Sequence, residues 1–325
     1  MNILVTGANG QLGTCIKHVV DTFGNGEKDH YVGDKNRYIF KGREDLDIGN
    51  YEQVLKTVKE EYINVIVNCA AYTNVNKAQE EQELAYLVNA KCAENLANAA
   101  KSVGAVLIHI STDYVFSVRN KTNTPLLPAK FNYTNEPYIW ACGDENFYGY
   151  SKLEGERLIA ESGCKYIILR TSWLYSWFGN NFVKTMFKML SNNQDIKVVY
   201  DQVGSPTSAH ELALFIYHII EHHNHETRYL CKEGIYNFVE NGVASWYDIV
   251  QGIKACMDEY YSTNCLAGGG GITPCLTNEF SQPVERPHYS VLDNSKTKEC
   301  FDYNFKYWRD SLKYVVNCLC DKHAE

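Results

Sequence analysis

The stretch ILVTGANGQLG, residues 3–13, decides how the rest of the chain is read. Asn2–Thr6 is a short apolar run with the length and branching of a buried strand, and it stops at glycine. Residues 11–23 then carry apolar positions at helical spacing. Three glycines lie across the junction, at Gly7, Gly10 and Gly13. The first permits a tight strand-to-helix turn, the second a close backbone approach to a pyrophosphate, and the third close packing of helix on strand. Gln11 and Leu12 open the helix, whose free N–H groups and positive end suit a phosphate. The expectation is a dinucleotide cradle made by Gly7, Gly10, Gln11, Leu12 and Gly13.

Outward from this turn, short apolar runs alternate with helical patterns. Strands are expected at 38–41, 64–68, 105–112 and 166–172, with helices at 83–103 and 148–161. Alternation of this kind makes a parallel sheet covered on both faces. The expected class is α/β, a doubly wound parallel sheet of Rossmann type with a smaller C-terminal substrate-binding domain. Residues 1–172 and 196–240 are assigned to the dinucleotide-binding part, and 173–195 and 241–325 to the substrate part. Beyond Ser172 the pattern predicts helices at 181–190, 208–221, 245–257 and 302–320, and a strand at 234–239. Ser245 with Asp248 three residues on is close to a capping box. Residues 25–36, 117–145 and the glycine run 268–271 read as loops.

Composition excludes several classes. A formal net charge of −8 argues against nucleic acid and against an anionic membrane surface. No apolar run approaches a membrane span, and MNILVTG has no signal-peptide pattern, so a cytoplasmic location is expected. The 12 cysteines are scattered without a Cys-x-x-Cys pair, which predicts free thiols and no metal site. His222, His223 and His225 follow an apolar helix and read as its solvated end.

The chemical signal is YGYSK, with Tyr148 and Lys152 four residues apart on one helix face. A free tyrosine has a pKa of about 10, and a neighbouring ammonium favours the phenolate. Bringing it near 7 takes about 4 kcal/mol of differential stabilisation. Such a tyrosine can protonate a carbonyl oxygen while hydride arrives at the carbon. With 24 tyrosines in the chain, chance matches to Tyr-x-x-x-Lys are expected; this pair stands out because it opens the helix after the fourth strand. Ser111 and Thr112 offer hydroxyls at the end of that strand. The strand at 38–41 is followed by Gly42 and Arg43 with no carboxylate, so Lys41 and Arg43 are expected to favour NADPH, with NADH also accepted.

The G-x-x-G-x-x-G spacing resembles the extended short-chain dehydrogenase/reductase superfamily. VIVNCAAYTNVNKAQ (65–79), STDYVF (111–116), YGYSKLEGE (148–156), LRTSWLY (169–175), DQVGSPT (201–207) and RPHYSVLDNSK (286–296) together resemble the dTDP-4-dehydrorhamnose reductase family, in family order across nearly the whole chain. The resemblance implies reduction of the C4 keto group of dTDP-4-dehydro-L-rhamnose, with the nucleotide sugar as partner and a homodimer left open as the assembly. It implies Tyr148 as proton donor, Lys152 as a ribose ligand and Thr112 as the third catalytic member. Thr112, Asp113, Tyr148, Trp173 and Arg286 map to substrate contacts. Asp47 and Ile48 map beside the adenine, and Ala70, Ala71 and Tyr72 to the turn bordering the cofactor. The chain departs from the family at Asp144-Glu145-Asn146, where Pro-Leu-Asn is usual, and at Asn76, often an aspartate. Two other readings share this ancestry. One is a reductase of a different nucleotide-linked keto sugar. The other is a non-catalytic nucleotide-binding regulator like the methionine adenosyltransferase β subunit. Thr112-Asp113-Tyr114 lacks the glutamate that related dehydratases carry.

Overall fold

The computed structural model describes residues 1–24, 36–116, 146–262, 270–280 and 284–324. Of the loops expected at 25–36, 117–145 and 268–271, residues 25–35, 117–145 and 268–269 lie outside the described residues, and Asp144 and Glu145 with them.

Six strands form one parallel sheet, in the order Gly234–Asn237, Lys165–Thr171, Val106–Thr112, Val65–Asn68, Asn2–Thr6, Arg37–Lys41. The chain leaves Asn2–Thr6 towards Arg37–Lys41 on one side and returns to Val65–Asn68 on the other. That reversal opens a crevice at the carboxyl ends of the central strands, where ligands bind in doubly wound sheets. Ile3, Leu4, Val5, Val65, Ile66 and Val67 are fully buried because helices cover both faces. Gln11–Phe23 and Ala209–Glu221 pack on one face, and Tyr51–Glu60 and Cys92–Val103 on the other.

The expected helix at 83–103 is Gln82–Tyr86 running through a π turn, Leu87–Lys91, into Cys92–Val103. Tyr51–Glu60 is a helix that the sequence reading lacked. Asn50 caps it by accepting a hydrogen bond from the Gln53 N–H. The C-terminal helix begins at Trp308, not 302, because Asp302 takes a left-handed φ of 48° and closes the helix Ser295–Phe301. The Ser245 hydroxyl and Asp248 carboxylate cap Trp246–Ser262 reciprocally.

A second apolar cluster gathers Val183, Phe187, Ile253, Trp308, Leu312 and Val316. Ile196–Val199 belongs to it: the strand pairs in parallel with Ile272–Cys275, and Ile196 and Val198 are buried there. Packing thus moves this strand out of the dinucleotide part to which position 196 had been assigned. The ten described cysteines are free, and no His/Cys/Asp/Glu cluster among the described residues could hold a metal. No helix among them is long and apolar enough to cross a membrane. His222 and His225 are exposed and His223 half-buried at the end of Ala209–Glu221, as a helix end requires.

The glycine turn has little slack. Gly7 takes a φ of 64°, and a Cβ there would meet the Ala70 nitrogen at 2.6 Å. A Cβ on Gly13 would lie 2.4 Å from the Gly7 oxygen and 2.6 Å from the Ala8 Cα, both backbone. Gly13→Ala therefore forces the first helix off its strand. The expected loss is about 1–3 kcal/mol in urea denaturation, accompanied by weaker nicotinamide-dinucleotide binding in a fluorescence titration.

Candidate active site

The helix Phe147–Ser162 carries Tyr148 and Lys152 to the crevice, and two glycines set how closely it sits. A Cβ on Gly149 would lie 2.4 Å from the Tyr114 oxygen, and one on Gly155 would lie 2.2 Å from the Asn89 oxygen. Asn146 caps the helix by accepting from the Gly149 N–H. A bidentate, fully buried ion pair between Glu156 and Arg170 ties the helix to strand Lys165–Thr171.

At the strand ends, the Thr112 hydroxyl donates to Asp113 Oδ1 at 3.0 Å and also bonds the Tyr148 phenol. Ser111, one residue earlier, is buried on the opposite face of the strand. The Tyr114 ring meets Tyr148 edge-on at 5.5 Å. Arg286 donates to the Tyr114 hydroxyl at 2.9 Å and to Asn76 Oδ1 at 3.1 Å. Asn76, the family departure, thus serves as an acceptor for Arg286. Ser290 faces Asp113, and a Cβ on Gly204 would strike both the Ser290 hydroxyl and the Trp173 indole. Trp173 itself has a φ of 48° and stacks on Trp246 at 3.7 Å. A bulky residue in the left-handed region is strained, and such strain persists only where packing over-determines it.

The electrostatics correct one expectation. Burial pushes the Tyr148 phenol above its ordinary pKa; the Thr112 hydroxyl opposes the rise, and Asp113 and Tyr114 add to it. Lys152 does not pull it down: its Nζ is turned to the Ile110 carbonyl at 2.7 Å and to His109 Nε2 at 3.3 Å. Lys152 is itself drawn down to about 8 by burial, against Glu156 and Cys69. Asp113 is pushed up to about 6 by burial, opposed by Thr112, Ser290 and backbone N–H groups.

The glycine-turn residues lie where the first strand ends and the first helix begins. Gly10 begins the first helix with no side-chain cap and no acidic residue in the first turn, so its N–H groups suit phosphate oxygens. Ala70 packs against Gly7. Tyr72 is held through its backbone by Asn89, and its hydroxyl donates to Glu81. Arg43 is exposed beyond the second strand. Nearby, Asp45 accepts from the Gly42 N–H at 2.8 Å, so a carboxylate stands closer to this strand end than the sequence reading allowed. Asp47 Oδ1 accepts from the Gly49 N–H, and Ile48 packs against the core under Tyr51–Glu60.

Residues 1–320 match the family described as the RmlD substrate binding domain. The chain belongs to that family. It is 34% identical over 319 residues to a dTDP-4-dehydrorhamnose reductase of Shigella flexneri, covering 98% of each chain. A crystal structure of a dTDP-4-dehydrorhamnose reductase from Clostridium acetobutylicum matches with a TM-score of 0.80 and 37% identity, covering 98% of this chain and 100% of that one. The Bacillus anthracis reductase in complex with NADP matches with a TM-score of 0.76 and 32% identity, covering 97% and 98%.

In this member of the RmlD family, the structure gathers Thr112, Asp113, Tyr148, Trp173 and Arg286 around one rim, with Lys152 behind it. Arg43, Asp47 and Ile48 lie apart, beyond the second strand. Sequence reasoning missed Asn68, Asn89 and His109. The signal for Asn68 and His109 was a polar residue inside an apolar strand run. Asn89 shows only through the π turn that aims it, since it bonds both Tyr72 and Ser151.

Because the Asp113 carboxyl is raised in the folded chain, its burial costs nothing well below 3.8 and the full penalty above about 6. Asp113→Asn is therefore expected to stabilise the protein at neutral pH by up to about 3 kcal/mol. Thermal melts should show the gain shrinking steadily from pH 7 towards pH 4. A gain that does not change with pH would assign it to packing.

Proposed function

We propose that this chain reduces the C4 keto group of dTDP-4-dehydro-L-rhamnose to give dTDP-L-rhamnose, using NADPH and accepting NADH. The observation that carries the reading is the hydrogen-bonded trio at one rim: Tyr148, Thr112 and Asp113, one helical turn from a buried Lys152. Family membership supports the same reaction. In this reading residues 1–172 with most of 196–240 hold the dinucleotide, and residues 173–195 and 241–325 hold the nucleotide sugar.

The glycine turn fits a dinucleotide because no Cβ could occupy Gly7 or Gly13 and the helix behind it is uncapped. When bound, the nicotinamide supplies hydride to the sugar carbon. The chain's own groups do the rest. Tyr148, kept protonated by burial in spite of the Thr112 hydroxyl, gives its proton to the carbonyl oxygen. Thr112 orients that phenol. Lys152 meets the nicotinamide ribose. Trp173, locked on Trp246, offers a flat apolar wall with an indole donor. Arg286 holds the Tyr114 and Asn76 side of the rim and reaches for the diphosphate. Asp47, Ile48, Ala70, Ala71 and Tyr72 border the adenine and ribose. Arg43 selects the 2′-phosphate.

Purified protein given the keto sugar should consume NADPH, followed by nicotinamide absorbance. Tyr148→Phe should lower kcat by about 10²–10⁴-fold. Full activity in that variant would remove Tyr148 as the proton donor. Arg43→Ala should raise KM for NADPH by about tenfold and leave KM for NADH nearly unchanged, an effect of about 1.4 kcal/mol. Equal effects on both cofactors would take the 2′-phosphate away from Arg43.

A further inference from the structure

Polar side chains inside buried strands must satisfy one another. Here three of them, Thr6, Asn68 and His109, form one line across the central strands, and the line ends on the lysine. The Thr6 hydroxyl donates to Asn68 Oδ1 at 2.8 Å, and the Ala70 backbone N–H donates to the same oxygen at 3.1 Å. A backbone N–H can only donate, so the orientation of the Asn68 amide is decided. Its Nδ2 then directs an N–H at His109 Nδ1, 3.0 Å away. That ring nitrogen must be bare. His109 is 1% exposed, and burial carries its pKa well below the ordinary histidine value, so the ring is neutral with its one proton on Nε2.

Nε2 lies 3.3 Å from Lys152 Nζ, and Nζ donates to the Ile110 carbonyl at 2.7 Å. An ammonium has three donors and no acceptor, so an N–H aimed at it is repulsive. A neutral amine has a lone pair that accepts that N–H and can still donate to the carbonyl. We propose that His109, locked by Asn68 as its Nε2–H tautomer, is a positioning residue that biases Lys152 towards the neutral amine.

The groups facing Lys152 come from several elements. Glu156, on its own helix, favours the ammonium, but its carboxylate is engaged with Arg170 of the adjacent strand. Cys69, after the third strand, also favours the ammonium. Tyr148 shares the helix, and His109 stands on the fourth strand. Burial draws Lys152 down to about 8 in spite of Glu156 and Cys69, and the histidine N–H acts in the same direction. The use of this bias rests on the proposed reduction: Tyr148 needs a fresh proton after each turnover, and a lysine near its own midpoint can take up or release one at neutral pH.

Two measurements on the ligand-free protein test the inference without any keto sugar, so they stand or fall separately from the proposed reaction. Long-range proton–nitrogen NMR of the histidine rings reads the tautomer in the unsubstituted protein. His109 should carry its proton on Nε2 from pH 6 to 8, and a proton on Nδ1 overturns the proposal. Carbon-13 NMR of lysine ε-carbons, with the Lys152 signal identified by its loss in Lys152→Arg, reads the lysine midpoint. It should lie at least one pH unit below those of the surface lysines.

Asn68→Asp reverses the polarity of the line, moves the ring proton to Nδ1 and bares Nε2 to the lysine. His109→Gln can present a carbonyl to Nζ and adds no charge. Both substitutions should raise the Lys152 midpoint by about one pH unit, with the pH profile of kcat moving in parallel. Both rises are required. A rise in the Asn68 variant alone is the field of the new carboxylate and overturns the proposal, as does a wild-type midpoint coincident with the surface lysines.

Discussion

A lysine side chain 2% exposed is the constraint around which this molecule is organised. Taking an ammonium out of water is costly, and proteins meet the cost by pairing the charge, by hydrogen bonding it or by neutralising it. Here Lys152 Nζ donates to the Ile110 carbonyl and lies against His109 Nε2, and both groups belong to the fourth strand. The lysine therefore anchors its helix to the sheet at the height where the strands end. Glu156, one turn further along, anchors the same helix to the fifth strand through Arg170. Between these two points the helix has little freedom to slide, and Tyr148 is held at the rim as a consequence.

Close approach is the second organising fact. Gly149 and Gly155 bring the helix within backbone contact of Tyr114 and Asn89, as Gly7 and Gly13 bring the first helix against its strand and the Ala70 turn. The glycine turn and the Tyr148 helix thus share one floor made of strand ends. Cys69 and Ala70 lie on it between the glycine turn and the lysine. On the opposite side of the crevice the second apolar cluster supplies Trp173. Stacking on Trp246 and contact with Gly204 hold its backbone in a conformation that a tryptophan seldom adopts. Strain is stored where a flat wall has to stand at one angle to the rim.

Much of the fold was legible because its parallel strands are buried on both faces and read as continuous apolar runs. The first strand and helix fall where residues 2–23 place them, since turn chemistry and periodicity agree there. Tyr51–Glu60 was not legible, because only Val54 and Val58 are fully buried and its apolar face is narrow. The start of the last helix was misplaced because residues 302–307 are apolar enough to extend the pattern, while Asp302 turns the chain left-handed. Residues 196–199 had no strand expected of them and were placed with the dinucleotide part only by position. Only their pairing with Ile272–Cys275 shows to which core they belong.

By itself the sequence determined which groups could perform the chemistry. A glycine turn after a first strand, a Tyr-x-x-x-Lys opening a helix and a hydroxyl at a strand end are local features, and local backbone geometry places each of them. Only the tertiary structure decided the directions in which their pKa values shift. They depend on how deeply each group is buried and on which donors face it across strands that lie far apart in the chain. Spacing suggested an ammonium lowering a phenol. The folded structure instead has a phenol raised by burial and a lysine lowered by it, with Asn68 and His109 bonded to the lysine through the sheet. Periodicity encodes which face a residue takes, but the partner it meets on that face is set by packing.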